Sequence, residues 1–323
     1  MGVESSPLGI SIAGLGEVFI DYANEGIQEL EQEGVLKIIN IAGRKSLEER
    51  LKFLEEQCKQ YPKKRKSTQA LIDRVRSGDI RYVSTNNQEL DNKTAEEFYR
   101  DTDFVYLATP NNVREQFVQQ AANRGKHVIV EKPLGTTRGS VGRLQDIAKG
   151  KIKSACMEHY SYKPPTTRML QLLQHSNDFG KIQSVEAVLE EEDFLERDRY
   201  KWLLEPAKSG GGMWIDTGIH LMHLIRLLGL EPGRVIWGEK YQNQFSEPDP
   251  RNDLIKSETA ADVYFNLNGN NATQNARAHL RVAKCMPEHH KTFQVNFRNN
   301  QIFLDFDNNT LYTFNRQPTQ STL

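Results

Sequence analysis

Short apolar runs alternate with stretches of helical periodicity through the first half of the chain. Apolar positions recur on one helix face in residues 17–32, 94–100 and 111–124. The apolar runs, each with the length of a buried strand, are Leu8 to Ala13, Val35 to Ala42, Ile80 to Ser84, Asp103 to Ala108 and His127 to Val130. Strands that alternate with helices predict a parallel sheet with crossover helices.

The pattern changes after about residue 180, where strand-like segments dominate. A helix is predicted over 212–229, and Asn-Gly, Asn-Asn and Asp-Asn pairs mark turns between the strands. The strand segments are Ile182 to Leu189, Val235 to Tyr241, Ala261 to Leu267, Ala276 to Ala283, Thr292 to Phe297, Ile302 to Phe306 and Leu311 to Phe314. We therefore predict an α/β protein with two domains. Residues 1–150 form a doubly wound parallel sheet, and residues 151–323 form an α+β domain with a largely antiparallel sheet.

Composition and charge exclude several classes of protein. The chain has 323 residues, enough for two cores, and a formal net charge of −1, which favours neither nucleic acid nor an anionic membrane. No apolar run reaches the roughly 18 residues of a membrane helix, and the N-terminus lacks the pattern of a secretory signal. Cys58, Cys156 and Cys285 are far apart and odd in number, so we expect a reducing, cytoplasmic compartment.

Two glycines after the first strand predict a dinucleotide site. In Gly14-Leu15-Gly16 the missing side chains let backbone N–H groups approach a pyrophosphate at the positive end of the next helix. Phe19 stands where the usual third glycine would be. Two such glycines also occur in ordinary turns, and the strand–helix–strand context decides for the nucleotide.

The end of the second strand favours NADP, with NAD still possible. An acidic residue there would bind the ribose 2′-hydroxyl of NAD, but the chain has Arg44 and Ser46 and no acid. Arg44 can pair with a 2′-phosphate and Ser46 can donate another hydrogen bond. The alternative is a solvated Arg-Lys pair. Thr109, Pro110 and Asn111 follow another strand and border the ligand crevice, or form only a helix N-cap.

Redox chemistry on a carbonyl needs a group that transfers a proton. Asp216 and His220 lie four residues apart on one face of the predicted helix, downstream of a Gly-Gly-Gly bend. His220 is the best candidate for proton transfer, and Asp216 would bind a substrate hydroxyl or orient the site. Lys132, in Glu131-Lys132-Pro133, would polarise the substrate oxygen. The alternatives are that His220 is a core histidine, Asp216 a helix cap and Lys132 a solvated loop lysine.

These motifs together resemble the Gfo/Idh/MocA oxidoreductase family. The matching segments, in the family's order, are Gly14 to Gly16, Ala108 to Pro110, Glu131 to Leu134 and Gly210 to His220. The resemblance implies an N-terminal Rossmann domain, whose cofactor site would also include Glu131 and Lys132. It implies a C-terminal domain whose open sheet often mediates dimers. It also implies NAD(P)-linked chemistry on sugars, sugar phosphates or polyols.

Three features depart from the family pattern. Phe19 replaces a glycine, His223 stands where members often have Asp, and residues 47–79 look like an insertion rich in charged residues. Because the family places substrate contacts near residues 157–163 and before the glycine bend, Tyr160, Lys163 and Trp202 are further substrate candidates. A charged surface loop is the alternative for them.

The leading hypothesis is an NADP(H)-dependent oxidoreductase that acts on a secondary alcohol or carbonyl of a sugar-like molecule. We expect a homodimer or homotetramer and no resident metal. A second hypothesis is a non-catalytic, nucleotide-binding regulatory protein of the same fold. A third is a metal hydrolase with Asp216, His220 and His223 as ligands, supplemented by Glu158 or His159.

Overall fold

The computed structural model describes residues 6–16, 19–85, 90–175, 179–192, 205–242, 257–286 and 288–315. The chain divides into two compact units, residues 1–157 and 158–323. Each unit has one sheet.

The first unit contains a six-stranded, wholly parallel sheet. Its strands are β1 (Leu8–Ala13), β2 (Leu36–Gly43), β3 (Arg81–Ser84), β4 (Phe104–Leu107), β5 (His127–Glu131) and β6 (Ser154–Met157). The strand order is β3-β2-β1-β4-β5-β6, which is the doubly wound order expected from the sequence. The helices are α1 (Asn24–Gln32), α2 (Leu47–Gln60), α3 (Arg65–Ser77), α4 (Asn92–Phe98), α5 (Asn111–Asn123) and α6 (Arg138–Ala148). The apolar runs predicted the first five strands to within about two residues, but α6 was not predicted.

A π-helical turn stands at the position of the missing third glycine. In the usual fingerprint that glycine lets the helix pack closely against the strand. Here residues Phe19–Ala23 form a π-helix before α1 begins. The Phe19 side chain is fully buried, with its ring centroid 6.1 Å from that of Tyr106. The wide π-helical turn therefore begins at the position where the bulky Phe19 replaces the glycine.

Helices α2 and α3, which occupy the charged segment 47–79, belong to the core of the first unit. Leu54 of α2 and Leu71 and Ile72 of α3 are fully buried. They pack in one cluster with Ile12 and Ile38 of the central strands. The segment that looked like an insertion in the sequence therefore contributes one buried face to the core and exposes the other.

The second unit contains a seven-stranded mixed sheet. Its strands are β7 (Ile182–Glu192), β8 (Glu231–Tyr241), β9 (Ala260–Asn268), β10 (Ala272–Met286), β11 (His290–Phe297), β12 (Asn300–Asp305) and β13 (Thr310–Asn315). The order is β13-β12-β11-β7-β10-β9-β8, and every pairing is antiparallel except that of β7 with β10. This confirms the largely antiparallel sheet.

Besides a short 3-10 helix, His159–Tyr162, the described part of the second unit contains three α-helices. They are α7 (Pro164–His175), α8 (Pro206–Ser209) and α9 (Ile219–Leu227). The helix predicted over 212–229 is present as a π-helical turn, Trp214–Gly218, that leads into α9. Helix α7 was not predicted. Within the described ranges no helix is long and apolar enough to cross a membrane.

The burial of α2 leads to a stability prediction. Replacing Leu54 with Ala removes apolar contacts at a fully buried position, so the free energy of unfolding should fall by about 2–5 kcal/mol. Urea denaturation followed by circular dichroism measures this change. Glu56→Ala, at an exposed position of the same helix, should change stability by less than about 0.5 kcal/mol. Equal stabilities of the two variants would mean that α2 is not part of the core.

Candidate active site

The glycine loop after β1 has the geometry of a backbone cradle. Gly14 has a φ of 94°, and a Cβ atom there would lie 2.5 Å from the carbonyl oxygen of Ala108. Its N–H group donates to the Ala42 carbonyl at 3.0 Å. Packing therefore requires glycine at this position. A Cβ atom on Gly16 would meet nothing within 4 Å, so packing does not require the second glycine, and a ligand can approach the backbone there.

The residues predicted to select NADP lie at the end of β2, but Ser46 has a structural role. Its hydroxyl donates to the Glu49 carboxylate at 2.9 Å and accepts from the Glu49 N–H at 3.3 Å, which forms a capping box at the start of α2. The hydrogen bonds from Ser46 lower the pKa of the Glu49 carboxyl. Arg44 is exposed, whereas Ser46 stands beside a carboxylate that would repel a phosphate.

Arg50 is a cation at the glycine loop that the sequence reasoning missed. Its Nη1 donates to the carbonyl of Leu15 at 2.9 Å, and its guanidinium lies 5.1 Å from the centre of the Phe53 ring. The Nε atom is buried and has no hydrogen-bond partner among the described residues. Arg50 lies in the segment that the sequence analysis treated as an insertion, so only the folded chain brings it to the loop.

The loop after β4 contains two buried polar side-chain atoms. Thr109 Oγ1 and Asn111 Oδ1 are both buried, and neither has a hydrogen-bond partner within the described part of the chain. Pro110 is the residue before the first turn of α5. The carboxyl ends of parallel strands form the ligand edge of such a sheet. These atoms and the open space at Gly16 fit a dinucleotide.

Glu131 braces the loop that carries Lys132. Its buried carboxylate accepts from the Tyr106 hydroxyl and, at 3.2 Å, from the N–H group of Lys132. Arg114 donates to the carbonyl of Thr109 at 2.9 Å and to that of Pro133. The Lys132–Pro133 peptide is cis, and Lys132 is half-buried.

Burial has the largest effect on the pKa values of Arg114 and Tyr106, the two titratable side chains near Glu131. It lowers the pKa of Arg114 to about 10 even though the carboxylate of Glu131 acts in the opposite direction. Burial, with Glu131 second, raises the pKa of Tyr106. The sequence did not point to Tyr106 or Arg114. A charged residue on the buried face of α5, in line with Phe117 and Ala121, was the available signal.

In the second unit the glycine bend positions Asp216 and His220. A Cβ atom on Gly212 would lie 2.1 Å from the carbonyl oxygen of Glu258, which accepts from the Met213 N–H at 3.1 Å. This close approach anchors the bend. Asp216 lies in the π-helical turn that follows, and His220 lies in the first turn of α9.

His220 is held by a buried carboxylate. Its Nδ1 lies 2.7 Å from Oε2 of Glu158, and the two residues are only 4% and 6% exposed. The rings of His159 and Tyr160 pack against the imidazole at centroid distances of 4.6 and 5.0 Å. A carboxylate at Nδ1 fixes the orientation of the ring. Proton exchange with a ligand would then use the other ring nitrogen, Nε2.

Asp216 is the first member of a chain of alternating charges. The ammonium group of the buried Lys284 lies 2.9 Å from Asp216 and 3.2 Å from Glu191, and Lys291 lies 3.1 Å from Glu191. Burial alone would raise the pKa of the Glu191 carboxyl, but Lys284 and Lys291 outweigh it and hold that pKa at about 2. Lys284 lies on the inward-facing side of β10, in line with the buried residues at alternate positions before it. A charged residue in that inward-facing register was the signal available in the sequence.

The remaining sequence candidates differ in their placement. Tyr160 is buried beside His220, and the Lys163 ammonium lies 4.3 Å from the centre of the Tyr160 ring. Trp202 lies outside the described residues. His223 is half-buried.

The described residues include no group of three or more metal-binding side chains of the His, Cys, Asp or Glu types, so the ligand set of the metal-hydrolase hypothesis is not assembled there.

Comparison with known proteins gives matches in both units. Residues 8–159 match the family model described as the oxidoreductase family with an NAD-binding Rossmann fold. Residues 167–303 match the GFO/IDH/MocA C-terminal domain. The two matches agree with the family predicted from the motifs and cover most of the chain.

Individual relatives are more distant. The chain is 31% identical over 137 residues to a 1-carboxy-3-chloro-3,4-dihydroxycyclohexa-1,5-diene dehydrogenase of Comamonas testosteroni, covering 42% of this chain and 33% of that protein. It is 25% identical over 123 residues to a glucose-6-phosphate 3-dehydrogenase of Bacillus subtilis, covering 38% and 35%. The alignments thus span less than half of either relative.

A solved structure of levoglucosan dehydrogenase in complex with NADH and levoglucosan has the same fold. The TM-score is 0.69 at 15% sequence identity, and the match covers 98% of this chain and 78% of that one. At this identity the likeness supports the fold alone.

The low pKa of Glu191 leads to a prediction about acid stability. A carboxyl whose pKa is about 2 in the folded protein and about 4.3 when unfolded stabilises the fold above the unfolded value. This contribution is lost as the pH falls towards 2. Glu191→Gln should therefore lower the free energy of unfolding by about 1–3 kcal/mol near pH 7, and the deficit should shrink below about pH 4.5.

Urea titrations at several pH values measure this deficit. Glu192→Gln is the matched control, because that side chain is exposed at the end of the same strand. A Glu191→Gln deficit that stays constant from neutral to acid pH would contradict the proposed pairing.

Proposed function

The chain belongs to the Gfo/Idh/MocA family of oxidoreductases, and we propose that it transfers hydride between a nicotinamide cofactor and a secondary alcohol or carbonyl of a sugar, sugar phosphate or polyol. The buried contact between Glu158 and His220 carries the proposal. A buried imidazole held by a carboxylate has the properties of a general acid–base group. Two relatives named as dehydrogenases support the reaction class.

The first unit supplies the cofactor residues. The backbone of Gly14, Leu15 and Gly16 would receive the pyrophosphate, and the buried oxygens of Thr109 and Asn111 offer hydrogen-bonding groups at the same edge of the sheet. When bound, the nicotinamide ring accepts or donates the hydride. We assign NADP because Arg44, and not an acidic residue, directly follows β2. The Glu49 carboxylate beside Ser46 is the observation against this preference.

Three side chains would act on the substrate. His220 takes the proton from the alcohol during oxidation and returns it during reduction, and Glu158 stabilises the imidazolium that forms. Lys132 polarises the substrate oxygen. The Asp216 carboxylate, paired with Lys284, accepts a hydrogen bond from a substrate hydroxyl and is not the proton acceptor.

The assembly and partners belong to the same proposal. We expect a homodimer or homotetramer formed through the open sheet, with no nucleic-acid or membrane partner, in the cytoplasm. Large apolar side chains are exposed along the outer strands of that sheet, which supports self-association. They are Val235, Ile236, Trp237, Tyr312 and Phe314.

Cofactor binding is the first test. Fluorescence titration of the purified protein should show tighter binding of NADPH than of NADH. Arg44→Ala should weaken NADPH binding by roughly tenfold to a hundredfold, as expected when a charge-assisted phosphate contact is lost, and leave NADH binding unchanged. Lys37→Ala removes the same charge from an exposed position near the other end of β2 and should have little effect. A preference for NADH would refute the role of Arg44, and failure to bind either nucleotide would refute the enzyme class.

Proton transfer is the second test. Turnover is followed through the absorbance of the reduced nicotinamide while sugars, sugar phosphates and polyols are screened. His220→Ala should lower kcat by roughly 10²–10⁴-fold without weakening cofactor binding. His223→Ala, one turn further along α9, is the matched control and should retain most of the activity. A bound cofactor without turnover on any substrate would favour the non-catalytic regulatory protein.

A further inference from the structure

Gly43 is a glycine that its own backbone conformation does not require. It is the last residue of β2, and its φ is not positive. A Cβ atom at this position would overlap the hydroxyl oxygen of Tyr82 and would lie 3.2 and 3.4 Å from two carbons of the same ring. The Tyr82 side chain is therefore what restricts position 43 to glycine.

The backbone of Gly43 cannot move away from this ring without breaking the sheet. Gly43 pairs with Ser84 of the edge strand β3, and its carbonyl accepts from the Thr85 N–H group at 2.9 Å. On the other side, the carbonyl of Ala42 accepts from the Gly14 N–H group at 3.0 Å. Hydrogen bonds to both sides thus hold the end of β2 in place.

The Tyr82 ring is also held at its outer end. Tyr82 pairs with Ile41 in the same two strands, is half-buried and donates from its hydroxyl to the Lys45 carbonyl at 2.8 Å. Burial raises the pKa of this hydroxyl, and the positive charge of Arg50 acts in the opposite direction. The hydroxyl is therefore neutral near pH 7. A neutral group that already has a hydrogen-bond partner fills the space beside Gly43.

Position 43 lies where a doubly wound sheet distinguishes NAD from NADP. In such sheets the acidic residue that binds the ribose 2′-hydroxyl of NAD stands near the end of the second strand. Gly43 is the final residue of β2 and directly follows Ala42, whose carbonyl contacts Gly14 of the glycine loop. A carboxylate at this position would accept from a 2′-hydroxyl and repel a 2′-phosphate.

We propose that Tyr82 is a specificity-determining residue for the cofactor. By filling the space beside Gly43, it excludes an acidic side chain from the end of β2 and leaves the adenosine end of the site to a 2′-phosphate. The inference rests on the proposed function, because it assumes that the glycine loop binds a nicotinamide dinucleotide. It adds a residue of the neighbouring strand to that site and gives a steric reason for the missing acid.

Fluorescence titration with NADPH and NADH tests this role in the wild type, Gly43→Asp, Tyr82→Leu and the double variant. Tyr82→Leu removes the outer part of the ring and makes room for a carboxylate. The double variant should lose NADPH affinity by roughly tenfold or more and should bind NADH more tightly than NADPH. Tyr82→Leu alone has no acid at position 43 and should still prefer NADPH. Gly43→Asp alone should bind both nucleotides more weakly, because its side chain fits only if Tyr82 is displaced.

Urea denaturation tests the steric part without any nucleotide. Gly43→Ala should lower the midpoint of unfolding in the wild-type protein, and most of this loss should disappear in the Tyr82→Leu background. Gly26→Ala is the matched control, because a Cβ atom on Gly26 of α1 would meet nothing within 4 Å. That substitution should destabilise neither background.

Three results would overturn the inference: a wild type that prefers NADH, a double variant that keeps the wild-type preference for NADPH, or a Gly43→Ala loss that is equal in both backgrounds. The two proposals are distinguishable. If nucleotides bind and the loss is equal in both backgrounds, the role of Tyr82 alone fails. If the wild type binds neither nucleotide, the proposed function fails, and the cofactor role of Tyr82 fails with it even where the stability measurements show the steric exclusion.

Discussion

A carboxylate removed from water must be paired, and the candidate site of the second unit depends on this constraint. Glu158 directly precedes a short 3-10 helix, is almost completely buried and contacts His220 of α9. An unpaired charge at this depth would cost several kcal/mol. The same contact that satisfies Glu158 sets the direction of the imidazole. One interaction therefore both compensates the buried charge of Glu158 and orients the candidate proton-transfer residue, His220.

The first unit uses the same solution with different residues. Glu131 ends β5 and is buried, and its partners are Tyr106, the backbone of Lys132 and the field of the buried Arg114. Arg114 in turn holds two loop carbonyls, those of Thr109 and Pro133. The loops at the ligand edge of the sheet are thus fixed by hydrogen bonds to two buried charged side chains, Glu131 and Arg114. This leaves the backbone of the glycine loop and the side chains of Thr109 and Asn111 for a ligand.

Paired charges also distinguish the roles of neighbouring residues. Asp216 and His220 lie close in sequence, yet their environments differ. Lys284 forms an ion pair with Asp216, and the Glu158 carboxylate contacts Nδ1 of His220. One residue is thereby suited to accept hydrogen bonds and the other to exchange protons.

The amino-acid sequence by itself predicted the strands of the two sheets, and it singled out the glycines, Lys132, Asp216 and His220 as site candidates, because strand periodicity, turn residues and short motifs are local signals. It did not reveal α6 and α7, or that Ser46 is occupied as a helix cap. Only the tertiary structure decided the partners Glu158 for His220, Lys284 for Asp216 and Arg50 for the glycine loop. These pairs are separated by 62, 68 and 35 residues. No local pattern encodes such contacts, because they arise when distant strand ends and helices pack together and each buried charge must find a partner.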